Sequence, residues 1–494
     1  MAAITASMLY DYVACPHRVS MDLFADPSNR DQVSPFVQLL WDRGFSHERE
    51  VIGALQLPLV DLSGAGDNER EKLTLDAMAR GEPLIYGGRI SANGLVGIPD
   101  ILRHQDGGYV AGDIKSGSAD EGGADDDDGK PKVHYAVQVA LYTDILEQLG
   151  LSAGRRPFIW DIKGREVIYD LDASYGVRSP RTLWQDYQEC LGAVKGIIGG
   201  SETAPAYSSA CKNCVWYTAC LAILEETNDL TLIPFLGRSL RDTMRGTIAT
   251  MHELSEINPD GFITDKGKKT VFSGLGPDRL RKFQARAKLI VTKDSKPYLS
   301  AAITLPVVER ELFFDIEVDP MRDICYLHGF VERTGGDNAT ESFTAFFADD
   351  PTPEAERRAF ADAWSFMRDR HPCGIYYYSK YERTIYRKLG AKYPDVCTEE
   401  QLEALFDPGN ATDLYFDIVL KATEWPTRDF SIKTLAKHLG FSWRDTHPSG
   451  AASIEWFHRW VETRDQNVKQ RILDYNEDDC RATRVLLDGI RALN

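Results

Sequence analysis

Hydrophobic and polar positions fall into two blocks along this chain, each a set of strand-like runs followed by helical periodicity. In the first, a helical pattern over residues 34–55 precedes strand-like runs over 83–90, 95–103 and 109–115, and a long helical pattern covers 133–149. The second opens with strand-like runs over 311–318, 324–331, 342–347 and 374–379 and continues into several helices. Between the blocks, residues 228–297 read as helical with short glycine turns. This alternation predicts two α/β domains joined by a helical segment, with boundaries at 1–225, 226–300 and 301–494.

A chain of 494 residues exceeds what one core supports, which agrees with that division. At 43% hydrophobic and 27% charged residues it reads as a soluble globular protein, and no stretch approaches the roughly 20 apolar residues that cross a bilayer. Met1-Ala2-Ala3-Ile4 does not begin a basic-then-apolar leader, so a cytoplasmic location and no membrane partner are expected. The nine cysteines then read as reduced thiols rather than a disulfide framework. A net charge of −18 argues against a uniformly basic surface but leaves room for local positive charge. Such a surplus occurs over residues 265–296, where ten Lys or Arg, among them Lys268, Lys269, Arg279, Arg281, Lys282 and Arg286, face three Asp. The acidic run over 119–129 reads as a solvated loop, because its spacing fits no calcium-binding loop.

Two carboxylates end neighbouring strand-like runs, in Gly97-Ile98-Pro99-Asp100 and Gly112-Asp113-Ile114-Lys115. Asp113 and Lys115 are two apart and share a strand face. Acids at one sheet edge suit Mg²⁺ or Mn²⁺, which lowers the pKa of an attacking water while the lysine orients it, the chemistry of phosphodiester hydrolysis. His47 on the preceding helix is a candidate further ligand. Gln138 and Tyr142 sit four apart on one face of the following helix and are candidates for ordering the lysine or the phosphate.

Cys211, Cys214 and Cys220 form C-x2-C-x5-C, and Cys15 lies before the first block. Three clustered thiolates with a distant fourth suit a [4Fe–4S] cluster, whereas a four-thiolate zinc site more commonly uses two C-x2-C pairs. Cys190, Cys325, Cys373, Cys397 and Cys480 have no ligand spacing and read as packed thiols.

In the second block, Phe313-Phe314-Asp315-Ile316-Glu317 puts two carboxylates on one strand face, and Tyr475 precedes Asp479 by four on a C-terminal helix. Acids so arranged hold two divalent ions that activate water and neutralise the leaving oxygen, and the tyrosine orients the nucleophile. The expected middle acid falls in Tyr378-Ser379-Lys380-Tyr381-Glu382, where Glu382 stands in place of Asp; Asp413 and Asp417 are possible substitutes.

The ordered set Cys15, His47, Asp100, Asp113-Ile114-Lys115, Gln138 with Tyr142, and Cys211, Cys214, Cys220 resembles the RecB-like nucleases with an iron–sulfur staple, which include CRISPR-associated RecB-like exonucleases and the nuclease domain of AddB. That resemblance covers residues 1–225 and implies a restriction-endonuclease-like PD-(D/E)xK domain acting on single-stranded DNA or DNA ends. Asp113 stands where many relatives have Glu. Residues 311–493 resemble the RNase H-like domain of the YprB type with a DEDD exonuclease centre. In the middle segment, Arg245-Gly246-Thr247-Ile248 before Met251, and Gly274-Leu275-Gly276 before Arg279, look like helix-hairpin-helix units, which meet phosphates through helix N-termini.

These readings converge on a metal-dependent DNA nuclease with two carboxylate sites. The competing class is a non-catalytic DNA-binding or repair-scaffold protein with a structural or redox-sensing cluster. No G-x4-G-K-[ST] loop occurs, so no ATP-driven motor is read in the sequence, and a separate helicase is a conceivable partner.

Overall fold

Every residue of Gly108–Ile114 is buried, which a strand achieves in the middle of a sheet covered on both faces. In the computed structural model, which describes residues 3–55, 57–121, 130–176 and 179–493, this strand lies in a six-stranded mixed sheet. The order is Glu166–Ile168, Phe158–Trp160, Gly108–Ile114, Ile101–Gln105, Leu84–Tyr86, Val60–Asp61. Tyr109 and Ala111 pack with the helix Val133–Gln148, while Val110 and Ile114 pack on the other face with Val51 and Ile52 of the helix Pro35–Ala54. That second helix starts where Ser34 Oγ accepts from the Val37 N–H at 3.2 Å, with proline at its first position.

Two runs expected as continuous strands are each broken. The 83–90 run divides into Leu84–Tyr86 and Ile90–Ala92, turning at Gly87 with φ +63°, where a Cβ would lie 2.9 Å from the Ser63 Cα. The 95–103 run divides into Leu95–Gly97 and Ile101–Gln105, and Pro99, which has no N–H for a ladder, stands in the gap. Asp100 therefore stands immediately before a strand instead of ending one. Ile101–Gln105 and Gly108–Ile114 are antiparallel with Ile101 opposite Gly112, so the start of one and the end of the other share an edge. The flanks of the acidic run pair as Asp120–Glu121 with Lys130–Pro131, and residues 122–129 of that run lie outside the described residues.

The chain forms two compact units, residues 1–223 and 224–494. The segment expected as a linker belongs to the second unit. It holds the helices Gly237–Met244, Met251–Glu256 and Pro277–Val291, and also a small hairpin in which Ile263–Thr264 pairs with Lys269–Thr270.

The main sheet of the second unit has the order Asp337–Phe347, Ile324–Thr334, Arg310–Asp319, Gly374–Tyr377, Ala411–Asp413. Its first three strands form an antiparallel meander, and the last two run parallel to Arg310–Asp319. Side chains alternate along a strand. Leu312, Phe314 and Ile316 face Phe360, Trp364 and Met367 of the helix Pro353–Asp369, whereas Phe313 faces Leu486 and Leu487 of the long helix Gln466–Arg491. Residues 315 and 317 share the face of Phe313, the side covered by the long helix. Among the described residues no helix is long and apolar enough to cross a membrane.

Candidate active sites

The shared edge of the first sheet brings Asp100 and Asp113 together. Oδ2 of Asp100 accepts from the Ile114 N–H at 2.7 Å, and Oδ1 of Asp113 accepts from the Asp100 N–H at 3.3 Å. The Lys115 ammonium donates to Asp113 Oδ2 at 2.8 Å and lies 5.5 Å from the centre of the Tyr135 ring. Burial, and then the Asp113 carboxylate, push the Asp100 pKa well up, against the pull of Lys115. Burial disfavours the charge on Lys115, but Asp113 and Asp100 outweigh it and raise its pKa. Two acids and one lysine therefore share a pocket that is short of positive charge.

Tyr142 is buried beside this pair, and its hydroxyl donates to the Ile98 carbonyl at 3.4 Å. Gly97 admits its ring, since a Cβ there would lie 2.5 Å from Tyr142 Cδ1. His47 and Gln138 are half-buried, and His47 Nε2 and Gln138 Oε1 have no hydrogen-bond partner among the described residues. The acid whose charge acts on Asp100 from the helix Pro35–Ala54 is Glu48, next to His47. Glu48 Oε1 accepts from the Tyr86 hydroxyl at 2.8 Å. Sequence reasoning passes over Glu48 for the imidazole beside it; the available signal is a third carboxylate on the helix preceding the two acid-bearing strands.

Cys15, Cys211, Cys214 and Cys220 line one pocket, together with Ala206 and Trp216. Burial pushes the Cys214 thiol up. The other five cysteines are buried.

In the second unit, ligand oxygens of Asp315, Glu317 and Asp479 lie within 4.8 Å of one another. Burial first, then Asp479, Glu317 and Glu382, raise the Asp315 pKa, while Lys433 opposes the rise. Burial and Asp479 push Glu317 up to about 8. Tyr475, one turn before Asp479, accepts from the Lys433 ammonium at 2.8 Å. Lys433 is invisible to sequence reasoning because it sits on the short helix Ile432–His438, which pattern alone does not place over the acids.

Glu382, the residue expected as the middle acid, lies close enough to Asp315 for its charge to raise that acid's pKa. It is buried, burial pushes it up to about 8, and Asp413 and Asp479 add to that rise. Its carboxylate accepts from the Ser379 hydroxyl at 3.4 Å. Ser379 caps the helix Lys380–Lys392 with φ +138°, a strained backbone for a residue with a Cβ and one found preferentially at functional sites. Of the two alternatives, Asp413 lies close enough to Glu382 to raise its pKa, and its Oδ2 has no hydrogen-bond partner among the described residues. Asp413 Oδ1 accepts from the N–H groups of Tyr415 and Phe416, and Asp417 pairs with Lys421 at 2.9 Å.

The six basic residues of the middle segment do not form one surface. Arg286 is buried; its Nε donates to Glu424 Oε2 at 2.7 Å and its Nη1 to the Pro234 carbonyl at 3.1 Å, so it ties the segment down and does not face a phosphate. Lys282 lies 3.3 Å from Glu424, and Arg281 pairs with Asp260 at 2.9 Å. Lys268, Lys269 and Arg279 are exposed, the first two at the small hairpin and not on a helix.

A family model for the PD-(D/E)XK nuclease superfamily matches residues 21–221, and one for the RNase H superfamily matches residues 312–490. No curated protein matches the chain. Nucleases of both kinds usually use divalent ions such as Mg²⁺, and the acidic cluster of the second unit suits such an ion. The chain thus joins an N-terminal domain of the PD-(D/E)XK nuclease superfamily to a C-terminal domain of the RNase H superfamily.

Proposed function

We propose that this protein is a Mg²⁺- or Mn²⁺-dependent deoxyribonuclease that degrades or trims single-stranded DNA ends in repair, recombination or defence. The observation that carries the proposal is the convergence of Asp100, Asp113 and Lys115 at one strand edge, with unpartnered His47 Nε2 and Gln138 Oε1 buried in the same domain. Unpaired buried donors and acceptors are costly, and a metal ion with its waters would satisfy them. Asp100, Asp113 and His47 would hold the ion, with Glu48 adding negative charge. A divalent ion there would supply the charge that acidifies a water molecule and neutralises the leaving oxygen. Lys115, hydrogen-bonded to Asp113, would orient the attacking water, and Tyr142 holds the Ile98 carbonyl. In the C-terminal site Asp315, Glu317, Glu382 and Asp479 would play the corresponding part, with Tyr475 orienting the nucleophile.

The same proposal places a [4Fe–4S] cluster on Cys15, Cys211, Cys214 and Cys220. Four thiols drawn from both ends of the first unit line one pocket, and Cys214 is buried enough to disfavour a thiolate unless positive charge is supplied there. Iron analysis with visible absorption separates this from zinc, and Cys220→Ala is expected to remove the absorbance.

The catalytic reading is tested by Lys115→Ala. Mn²⁺-dependent cutting of labelled single strands is expected to fall while DNA binding is retained. Degradation unchanged by both Lys115→Ala and Asp315→Asn would overturn it in favour of a DNA-binding scaffold, and a separate helicase would then have nothing to feed.

A further inference from the structure

The acids of the C-terminal site are more engaged than a centre for two ions would need. Asp315 Oδ2 accepts from the Asn476 side-chain amide at 2.7 Å. Asp479 Oδ1 accepts from the Trp443 indole N–H at 2.7 Å, and its Oδ2 lies 3.5 Å from Lys433 Nζ. Two-ion sites place the ions about 4 Å apart so that they clamp the attacking and leaving oxygens, and an ammonium beside the acids competes with the second cation for their charge. Neither Asp315 nor Asp479 has both oxygens uncommitted.

A positive charge is meanwhile built into the site. Lys433 stands on the helix Ile432–His438, whose first turn is fixed by Ser431 accepting from the Thr434 N–H. Its ammonium donates to the Tyr475 hydroxyl at 2.8 Å and lies 4.9 Å from the centre of that ring and 5.7 Å from the centre of Trp443. Three interactions with two elements hold it beside Asp479.

Resting on the reading of this cluster as a metal site, we infer that it takes a single divalent ion, and that the Lys433 ammonium supplies the positive charge a second ion would bring. The ion sits among Asp315, Glu317 and Asp479, whose ligand oxygens converge. Lys433 is a positioning residue: it fixes the Tyr475 hydroxyl and repels a second cation.

The test counts bound Mn²⁺ by electron paramagnetic resonance on the full chain. Asp100→Ala/Asp113→Ala silences the N-terminal site, and a phosphorothioate single-stranded oligonucleotide supplies substrate phosphates without turnover. The expected result is one Mn²⁺ per chain, lost on Glu317→Gln, with no signal from a coupled pair. Lys433→Met is expected to admit a second ion and produce the coupled-pair spectrum, whereas Lys433→Arg keeps the count at one, which shows that any change in Lys433→Met is not misfolding. A coupled pair with Lys433 present, or a count of one in Lys433→Met with the fold intact by melting, would overturn the inference. No Mn²⁺ sensitive to Glu317→Gln would overturn the metal-site reading itself, and the inference with it.

Discussion

Asn476, wholly buried on the C-terminal helix, donates its side-chain amide to Asp315 Oδ2 at 2.7 Å and lies directly over Gly329. Gly329 is the residue opposite Asp315 in the antiparallel pair, and a Cβ there would fall 1.6 Å from Asn476 Oδ1. The absence of a side chain on one strand is what lets the helix reach the acid on the next.

Gly329→Ala is therefore expected to force Asn476 off Asp315. Overpacking of this kind costs about 1–3 kcal/mol. A chemical denaturation midpoint equal to that of the parent would show that Asn476 does not press on this strand.

The two proposed active sites are expected to act independently. Lys115→Ala should reduce cutting about 10²–10³-fold, the usual loss when one group that stabilises developing charge is removed. Residual activity in that variant should vanish with Asp315→Asn, as measured by release of labelled nucleotides from single strands; persistence in the double variant would point to another centre.

Glu48 should matter although it touches neither strand acid directly. Its charge bears on Asp100, and its carboxylate is held by the Tyr86 hydroxyl. Glu48→Gln is expected to weaken Mn²⁺ binding at the N-terminal site about 10–100-fold, the range for groups that support metal ligands. Calorimetric titration of an Asp315→Asn background reads this directly.

Without metal, stability should fall as pH rises from about 5 to 8. Burial lifts Glu317 and Glu382 to about 8 in the folded chain, while in the unfolded chain both titrate near the ordinary value of roughly 4.3. Between those values the folded state binds more protons, so raising the pH favours unfolding, and the slope flattens above about 8. Added Mg²⁺ or Mn²⁺ should reverse the trend by binding the ionised acids. Melting temperatures across this range, with chelator and with metal, check the sign; a metal-free protein that gains stability toward pH 8 would contradict the crowding of these acids.

Arg286 and the exposed lysines should separate stability from binding. Removing one partner of a buried ion pair typically costs 3–5 kcal/mol, so Arg286→Ala is expected to destabilise the second unit. Lys268→Ala/Lys269→Ala should leave melting unchanged. If these lysines meet phosphates, the log–log salt dependence of single-strand binding should become shallower by roughly 0.7 for each phosphate no longer neutralised.

Local pattern was enough to reveal most of this protein. The strand period put Asp113 with Lys115 and Asp315 with Glu317 on common faces, since side chains alternate whatever the fold. The spacing of Tyr475 and Asp479 put both on one helix face for the same local reason. Both superfamily assignments agree with the resemblances that the ordered motifs carry, and the helix expected over 34–55 starts and stops within a residue of Pro35–Ala54.

What the sequence alone could not settle depends on residues far apart in the chain. Glu48 acts on Asp100 and Lys433 on Tyr475 only because separate elements pack together. Arg286 has the look of a phosphate ligand in the sequence, but Glu424, 138 residues later, takes its guanidinium. Periodicity states which way a side chain points from its own backbone; its partner is chosen by burial, because a charge taken from water must find an opposite charge or a hydrogen bond wherever the fold supplies one.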